Sequence, residues 1–194
     1  MPKVQVLSPD VANQIAAGEV IERPANAVKE LVENALDAGA RRVEIEIEEG
    51  GKKLIRVRDD GCGMSSEDAV LSLQRHATSK LQNADDLYSV RTLGFRGEAL
   101  PSMAAVSRFE ITTRETNADI GTHVQVEAGV VTDISETGCR EATEIAIHNL
   151  FFNTPASFKF LKTSGTWRWR IHTSRFVCVT MATSCSGRKR AAIL

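Results

Sequence analysis

A chain of 194 residues, 42% hydrophobic and 25% charged, has the size and composition of one globular domain and is neither disordered nor fibrous. No window approaches the roughly 18 uncharged apolar residues of a membrane span, and the N-terminus lacks a signal-peptide layout, so an intracellular chain without a membrane partner is expected. The net charge of −1 is uneven: residues 164–194 carry six basic side chains and no acid, which leaves 18 of the 24 basic side chains against all 25 acidic ones in residues 1–163, a body too acidic to bind DNA strongly without specific contacts.

In chain order, Ser8-Pro9 reads as an N-cap followed by a proline at the first helical position, opening a helix to about Val20. Pro24 opens a second, in which Val28, Leu31, Val32, Ala35 and Leu36 recur at helical spacing and Gly39 stands where a C-terminal glycine belongs. A hairpin follows: Val43, Ile45 and Ile47 alternate with Glu44, Glu46 and Glu48, Gly50-Gly51 turns the chain, and residues 54–58 return. The loop Asp59-Asp60-Gly61-Cys62-Gly63 leads into a helix predicted over 66–77, capped by Ser65 or Ser66 with acids in its first turn. Residues 93–97 precede a helical run to about Val106, and strand patterns follow at 108–114, 122–127, 130–134 and 143–150. Helices, a hairpin, helices and then strands predict an α+β two-layer sandwich, a mixed and mostly antiparallel sheet with helices on one face.

Three groups of residues suggest chemistry. Glu30 and Asn34, four apart on the second helix, project from one side. A carboxylate there can take a proton from an attacking water, and an amide oxygen can bind a hard cation such as Mg²⁺; the same spacing also suits a solvated polar face. Asp59 stands at a strand end before Gly61 and Gly63, where a carboxylate can accept from an amine of a flat ligand and glycines let backbone approach it, or where the chain simply makes a tight acidic turn. Gly94 and Gly97 would allow backbone N–H groups to face phosphates ahead of a helix. No G-x-x-x-x-G-K-[ST] occurs, which excludes a P-loop, and neither G-x-S-x-G nor H-E-x-x-H is present. The four cysteines, Cys62, Cys139, Cys178 and Cys185, form no C-x-x-C pair and read as reduced structural thiols.

Five segments, ANQIAAGEVIERPANAVKELVENALDAGA (12–40), RDDGCG (58–63), RHATSK (75–80), TLGFRGEAL (92–100) and LFFNTPA (150–156), together resemble the MutL family of DNA mismatch-repair proteins. That family belongs to the ATPase superfamily of DNA gyrase, histidine kinases and a heat-shock chaperone, and the likeness runs from roughly residue 6 to 163. The resemblance implies the Bergerat ATP-binding fold over 1–163, with ATP and Mg²⁺ as ligands. It implies Glu30 as general base for the water attacking the γ-phosphate, Asn34 as the Mg²⁺ ligand, and Asp59 as acceptor from the adenine amino group. Gly63 would let the ring approach and Thr143 would support that end of the pocket. Thr78, Ser79 and Lys80 fall in a nucleotide-contacting segment, and Gly94, Phe95, Arg96, Gly97 and Glu98 in the lid end and helix that wrap the phosphates. The resemblance further implies a homodimer formed on ATP binding, DNA and a mismatch-sensing MutS-type protein as partners, and a cytoplasmic, nucleoid-associated location in a bacterium.

Some positions depart from the family's pattern. Asp60 stands for the usual Asn, Pro101 for a small residue just inside a helix, Ala142 for a glycine and Ser157 for a basic residue. Residues 164–194 match nothing in the pattern and show no sustained period, so they are expected to be a divergent basic tail, non-native or poorly ordered, as from a truncated or frame-shifted gene product. Such a chain would lack the family's second domain and the lysine it provides. Three further readings stand beside a mismatch-repair ATPase switch: a nucleotide-binding module that keeps the fold without turnover, a gyrase- or kinase-like enzyme, against which QIAAGEV and NTPA speak, and, weakest, a protein that binds DNA through its basic tail.

Overall fold

The computed structural model describes residues 15, 17, 18, 20–77, 97–154 and 167–172, the last six through their backbone alone. At the described positions between 15 and 20 the chain is helical. Helix α1, Pro24–Asp37, begins with its proline where the first N–H groups of any helix lack an intrahelical partner. Ala27, Leu31 and Ala35 form its buried stripe, and Leu31, 2% exposed, contributes about 1.5–3 kcal/mol through burial. Leu36, expected in that stripe, is 40% exposed. The helix ends in a glycine turn: Gly39 sits at φ +79°, its N–H donates to the Leu36 carbonyl at 3.0 Å, and the Ala40 N–H reaches back to the Ala35 carbonyl at 3.0 Å.

Strands β1 (Arg42–Glu48) and β2 (Leu54–Asp59) pair antiparallel, with Ile45 opposite Val57 and Ile47 opposite Ile55, joined through a short 3₁₀ turn at Glu49–Gly51. Helix α2, Ser66–Leu71, is shorter than the 66–77 expected. Its start follows the sequence, since the Ser65 hydroxyl accepts from the Asp68 N–H at 3.1 Å. Its end does not, because the Ser72 hydroxyl donates to the Ala69 carbonyl at 2.8 Å and His76 turns to φ +65°.

Helix α3, Ala99–Ala105, leads to β3 (Arg108–Arg114), β4 (Gly121–Glu127), β5 (Val130–Thr137) and β6 (Ala142–His148). Pro101 is the third residue of α3, and the first helical bond runs from the Ser102 N–H to the Glu98 carbonyl at 3.0 Å. No hydrogen bond is lost to the proline there.

A seventh strand, β7 (Trp167–His172), lies where the sequence reading expected no regular pattern. Its W-R-W-R-I-H segment alternates with period two, and it pairs antiparallel with β1, Trp169 opposite Ile45 and Arg170 opposite Glu44. The sheet therefore extends past residue 163. Its order is β5-β4-β3-β6-β2-β1-β7, and every described pairing is antiparallel.

One face of the sheet, carrying Val43, Ile45, Ile55, Val57, Phe109, Ile111, Val124, Ile145 and Ile147, packs with α1 and α3 into a single core. The opposite face carries alternating charges: Arg56 bridges Glu46 at 2.8 Å and Glu144 at 3.3 Å, and Arg58 pairs with Glu144. Each such half-exposed pair contributes about 0–1 kcal/mol, so the core layer rather than this ladder holds the fold. The expected two-layer α+β sandwich is the architecture found.

Candidate functional site

Sheet topology brings three strand ends to one place. Strand β6 lies between β2 and β3 and runs antiparallel to both, so its first residues meet the last residues of its neighbours. There the Asp59 carboxylate accepts from the Gly61 N–H at 2.8 Å and from the Thr143 backbone N–H. Burial pushes the Asp59 carboxyl above its ordinary value, the two N–H groups pull against that rise, and the neighbouring Asp60 charge adds to it. A half-buried carboxylate held by backbone donors at a strand end is a fixed acceptor.

The Thr143 hydroxyl meets Thr113 Oγ1 at 3.1 Å, and Thr113 Oγ1 also accepts from the Met64 N–H at 3.0 Å. Thr113, fully buried at the end of β3, is a member of this site that the sequence reading missed. Its signal was faint: it continues the inward alternation of Phe109 and Ile111 with a hydroxyl in place of an apolar group.

Residues 61–63 are held on two sides. The Cys62 N–H donates to the Ala38 carbonyl at 3.0 Å, and a side chain at Gly61 would meet the Ala38 Cβ at 2.9 Å, which fastens the loop to the end of α1. The Cys62 carbonyl accepts from the Thr116 N–H at 3.0 Å, and Gly63, at φ +70°, turns its missing side chain into the Arg114 carbonyl. Glycine at 63 is thus required by the protein's own backbone, quite apart from any ring it was expected to admit. Asp60 points away from this centre and accepts from the Arg41 and Arg42 N–H groups at 2.7 Å each, a task an asparagine oxygen would do equally. Ala142, another of the departures, lies at the start of β6, and its carbonyl accepts from the Thr113 hydroxyl at 3.1 Å.

Glu30 and Asn34 flank the buried stripe of α1 and are both partly buried rather than fully solvated. Glu30, its side chain 29% exposed, has the Lys29 ammonium 3.8 Å away, and the same lysine lies 3.3 Å from Glu33. Asn34 is one turn and Glu30 two turns before Ala38, the point where α1 meets the Asp59 loop, about 6 and 12 Å back along the axis at 1.5 Å per residue.

Gly97, at φ +60°, packs so closely on the Ala77 carbonyl that no side chain fits, and its own carbonyl accepts from the His76 N–H at 3.2 Å. Glu98 approaches His76 at 3.6 Å at the start of α3, the helix packed beside α1. Thr78, Ser79, Lys80, Gly94, Phe95 and Arg96 lie outside the described residues, as does Ser157. Among the described residues no three His, Cys, Asp or Glu side chains gather into a metal cage. An amide oxygen such as that of Asn34 is the hard donor type that could hold Mg²⁺, an ion usually bound by one or two protein oxygens together with phosphates and water. No described helix is long and apolar enough to cross a membrane.

The family model for histidine kinase-, DNA gyrase B-, and HSP90-like ATPases matches residues 21–154. The chain is 58% identical over 164 residues to a DNA mismatch repair protein MutL of Geotalea daltonii and 56% identical to that of Geobacter sulfurreducens, in each case covering 84% of this chain and 27% of the relative. It thus spans about a quarter of the length of these relatives. Among solved structures it is similar to the Aquifex aeolicus MutL ATPase domain complexed with ADP, at 38% identity and a TM-score of 0.55 over 74% of this chain and 49% of that one. The N terminal domain of a DNA repair protein gives a TM-score of 0.63 at 30% identity, over 77% of this chain and 42% of that one. Matched along the helix that carries Glu30 and Asn34, the loop that carries Asp59 and the strands that hold it, the chain belongs to the histidine kinase-, DNA gyrase B-, and HSP90-like ATPase family.

Proposed function

We propose that this chain binds and hydrolyses ATP with Mg²⁺ as the nucleotide-driven switch of a mismatch-repair protein. The observation that carries the reading is the Asp59 carboxylate, fixed by the Gly61 and Thr143 N–H groups in a loop tied to the same helix that bears Glu30 and Asn34. Asp59 accepts from the exocyclic amine of adenine, while Gly61 and Gly63 keep the loop tight enough to hold that carboxylate in place. Glu30, two turns up α1, orients and deprotonates the water that attacks the γ-phosphate. Asn34 holds Mg²⁺, which when bound neutralises charge on the phosphates.

Gly97 and Glu98 stand at the phosphate end with Gly94, Phe95 and Arg96, and Thr78, Ser79 and Lys80 complete the nucleotide contacts; the likeness to MutL supports these assignments. It also supports ATP-dependent joining of two such domains and coupling to DNA and a MutS-type mismatch sensor. By the same likeness, residues 1–163 form the body of the nucleotide-binding unit, acting in the cytoplasm, and residues 164–194 diverge from the family although 167–172 add β7 to the unit's sheet.

Titration calorimetry with ATP and Mg²⁺ tests the pocket. Asp59→Ala is expected to weaken binding by roughly 10–150-fold, the loss of one charge-assisted hydrogen bond of about 1.5–3 kcal/mol. Unchanged affinity would place the base elsewhere.

A further inference from the structure

Thr113 has no atom exposed to solvent, yet its hydroxyl has three polar neighbours: the Met64 N–H at 3.0 Å, the Ala142 carbonyl at 3.1 Å and the Thr143 hydroxyl at 3.1 Å. A threonine hydroxyl offers one hydrogen and two lone pairs. The Met64 amide can only donate, so it takes one lone pair. The Ala142 carbonyl can only accept, so it takes the single hydrogen. One lone pair is left for the third neighbour, and Thr143 must then donate its own hydrogen to Thr113. This is the assignment in which all three contacts are hydrogen bonds at once, with every valence of the Thr113 hydroxyl used.

The consequence falls on Thr143. With its hydrogen turned inward, its oxygen presents only lone pairs to anything else. The backbone N–H of this same residue holds the Asp59 carboxylate, itself an acceptor. Two acceptors then stand side by side at the base end of the pocket.

We propose that Thr113 is a positioning residue that fixes the hydrogen-bonding polarity of Thr143, so that the site selects a base carrying an amine and rejects one carrying an oxo group at the same place. This rests on the reading of Asp59 and Thr143 as the base-binding end. An exocyclic amine donates to both acceptors, whereas a carbonyl there would face their lone pairs and leave buried groups unmatched. Thr113 touches no nucleotide in this scheme and acts through Thr143.

The test is the ratio of ATP to GTP affinity, by calorimetry on the full chain with Mg²⁺, for the wild type, Thr113→Val and Thr113→Ser. Valine keeps the shape and removes the hydroxyl, freeing the Thr143 hydrogen to turn outward. The ATP preference is expected to fall by roughly three- to tenfold, the worth of one neutral hydrogen bond, and Thr113→Ser is expected to restore it. A purely structural role would weaken both nucleotides alike, and an unchanged ratio in Thr113→Val overturns the proposal while leaving the base-binding reading intact. A wild type that binds neither nucleotide, or both equally, overturns that reading and the proposal with it. If Thr113→Val does not fold, Thr113→Ala, which also removes the hydroxyl, decides: a lowered ratio supports the proposal, and an unchanged one overturns it.

Discussion

Gly63 and the Arg114 carbonyl are packed so that no Cβ fits between them: at φ +70° the side-chain direction of residue 63 runs straight into that oxygen. The Asp59 loop is therefore clamped against the end of β3 as well as against α1.

Gly63→Ala tests the clamp. A left-handed non-glycine residue costs about 1–2 kcal/mol before any clash, and the Arg114 carbonyl adds one. We predict a loss of at least about 2 kcal/mol, seen as a fall in Tm of roughly 4–8 °C for a chain of this size, together with weaker nucleotide binding. A Tm within a degree of the wild type would mean that the loop is free to move.

The half-buried carboxylate of Asp59 predicts a pH dependence of stability. Its pKa in the folded state is raised above the ordinary 3.8, so the folded protein binds this proton more tightly than the unfolded chain. The group's contribution is fully favourable below its unfolded value and is lost as pH rises through the folded one. Denaturant titrations of the nucleotide-free protein across that window should show this loss in the wild type and not in Asp59→Asn. Equal pH profiles for the two proteins would remove burial as the dominant influence on Asp59.

Glu30→Ala separates binding from chemistry. Removing a general base lowers turnover by about 10²–10⁴ while the base- and metal-binding groups remain. We predict near wild-type ATP affinity and that loss in single-turnover hydrolysis. Wild-type hydrolysis in the variant would strip Glu30 of its role.

Much of this molecule is legible from local pattern because its strongest signals are local. Pro24 and Gly39 bracket α1, and Val43, Ile45 and Ile47 alternate because one face of β1 is buried. Asp59 before two glycines announces itself in the same way. What stays hidden depends on distant partners. Thr113 matters because strand order puts β3 beside β6, and nothing near it in the chain says so. Gly63 looks like a ligand-facing glycine until Arg114, 51 positions on, is seen to fill its side-chain space. The end of α2 depends on a single serine hydroxyl turning back on the helix. In β7, a period of two lies inside a run whose basic residues draw the eye to charge rather than to alternation.

The central claim is that Glu30, Asn34 and Asp59 serve one Mg²⁺–ATP pocket, and a thermal-shift titration with Mg²⁺ and a non-hydrolysable ATP analogue tests it most directly. At 100 times the wild-type dissociation constant the ligand should add about 2.7 kcal/mol, raising Tm by roughly 5–10 °C in the wild type and in Glu30→Ala, and by at most about half as much in Asp59→Ala. A wild-type Tm that does not move under saturating analogue and Mg²⁺ would contradict the pocket itself.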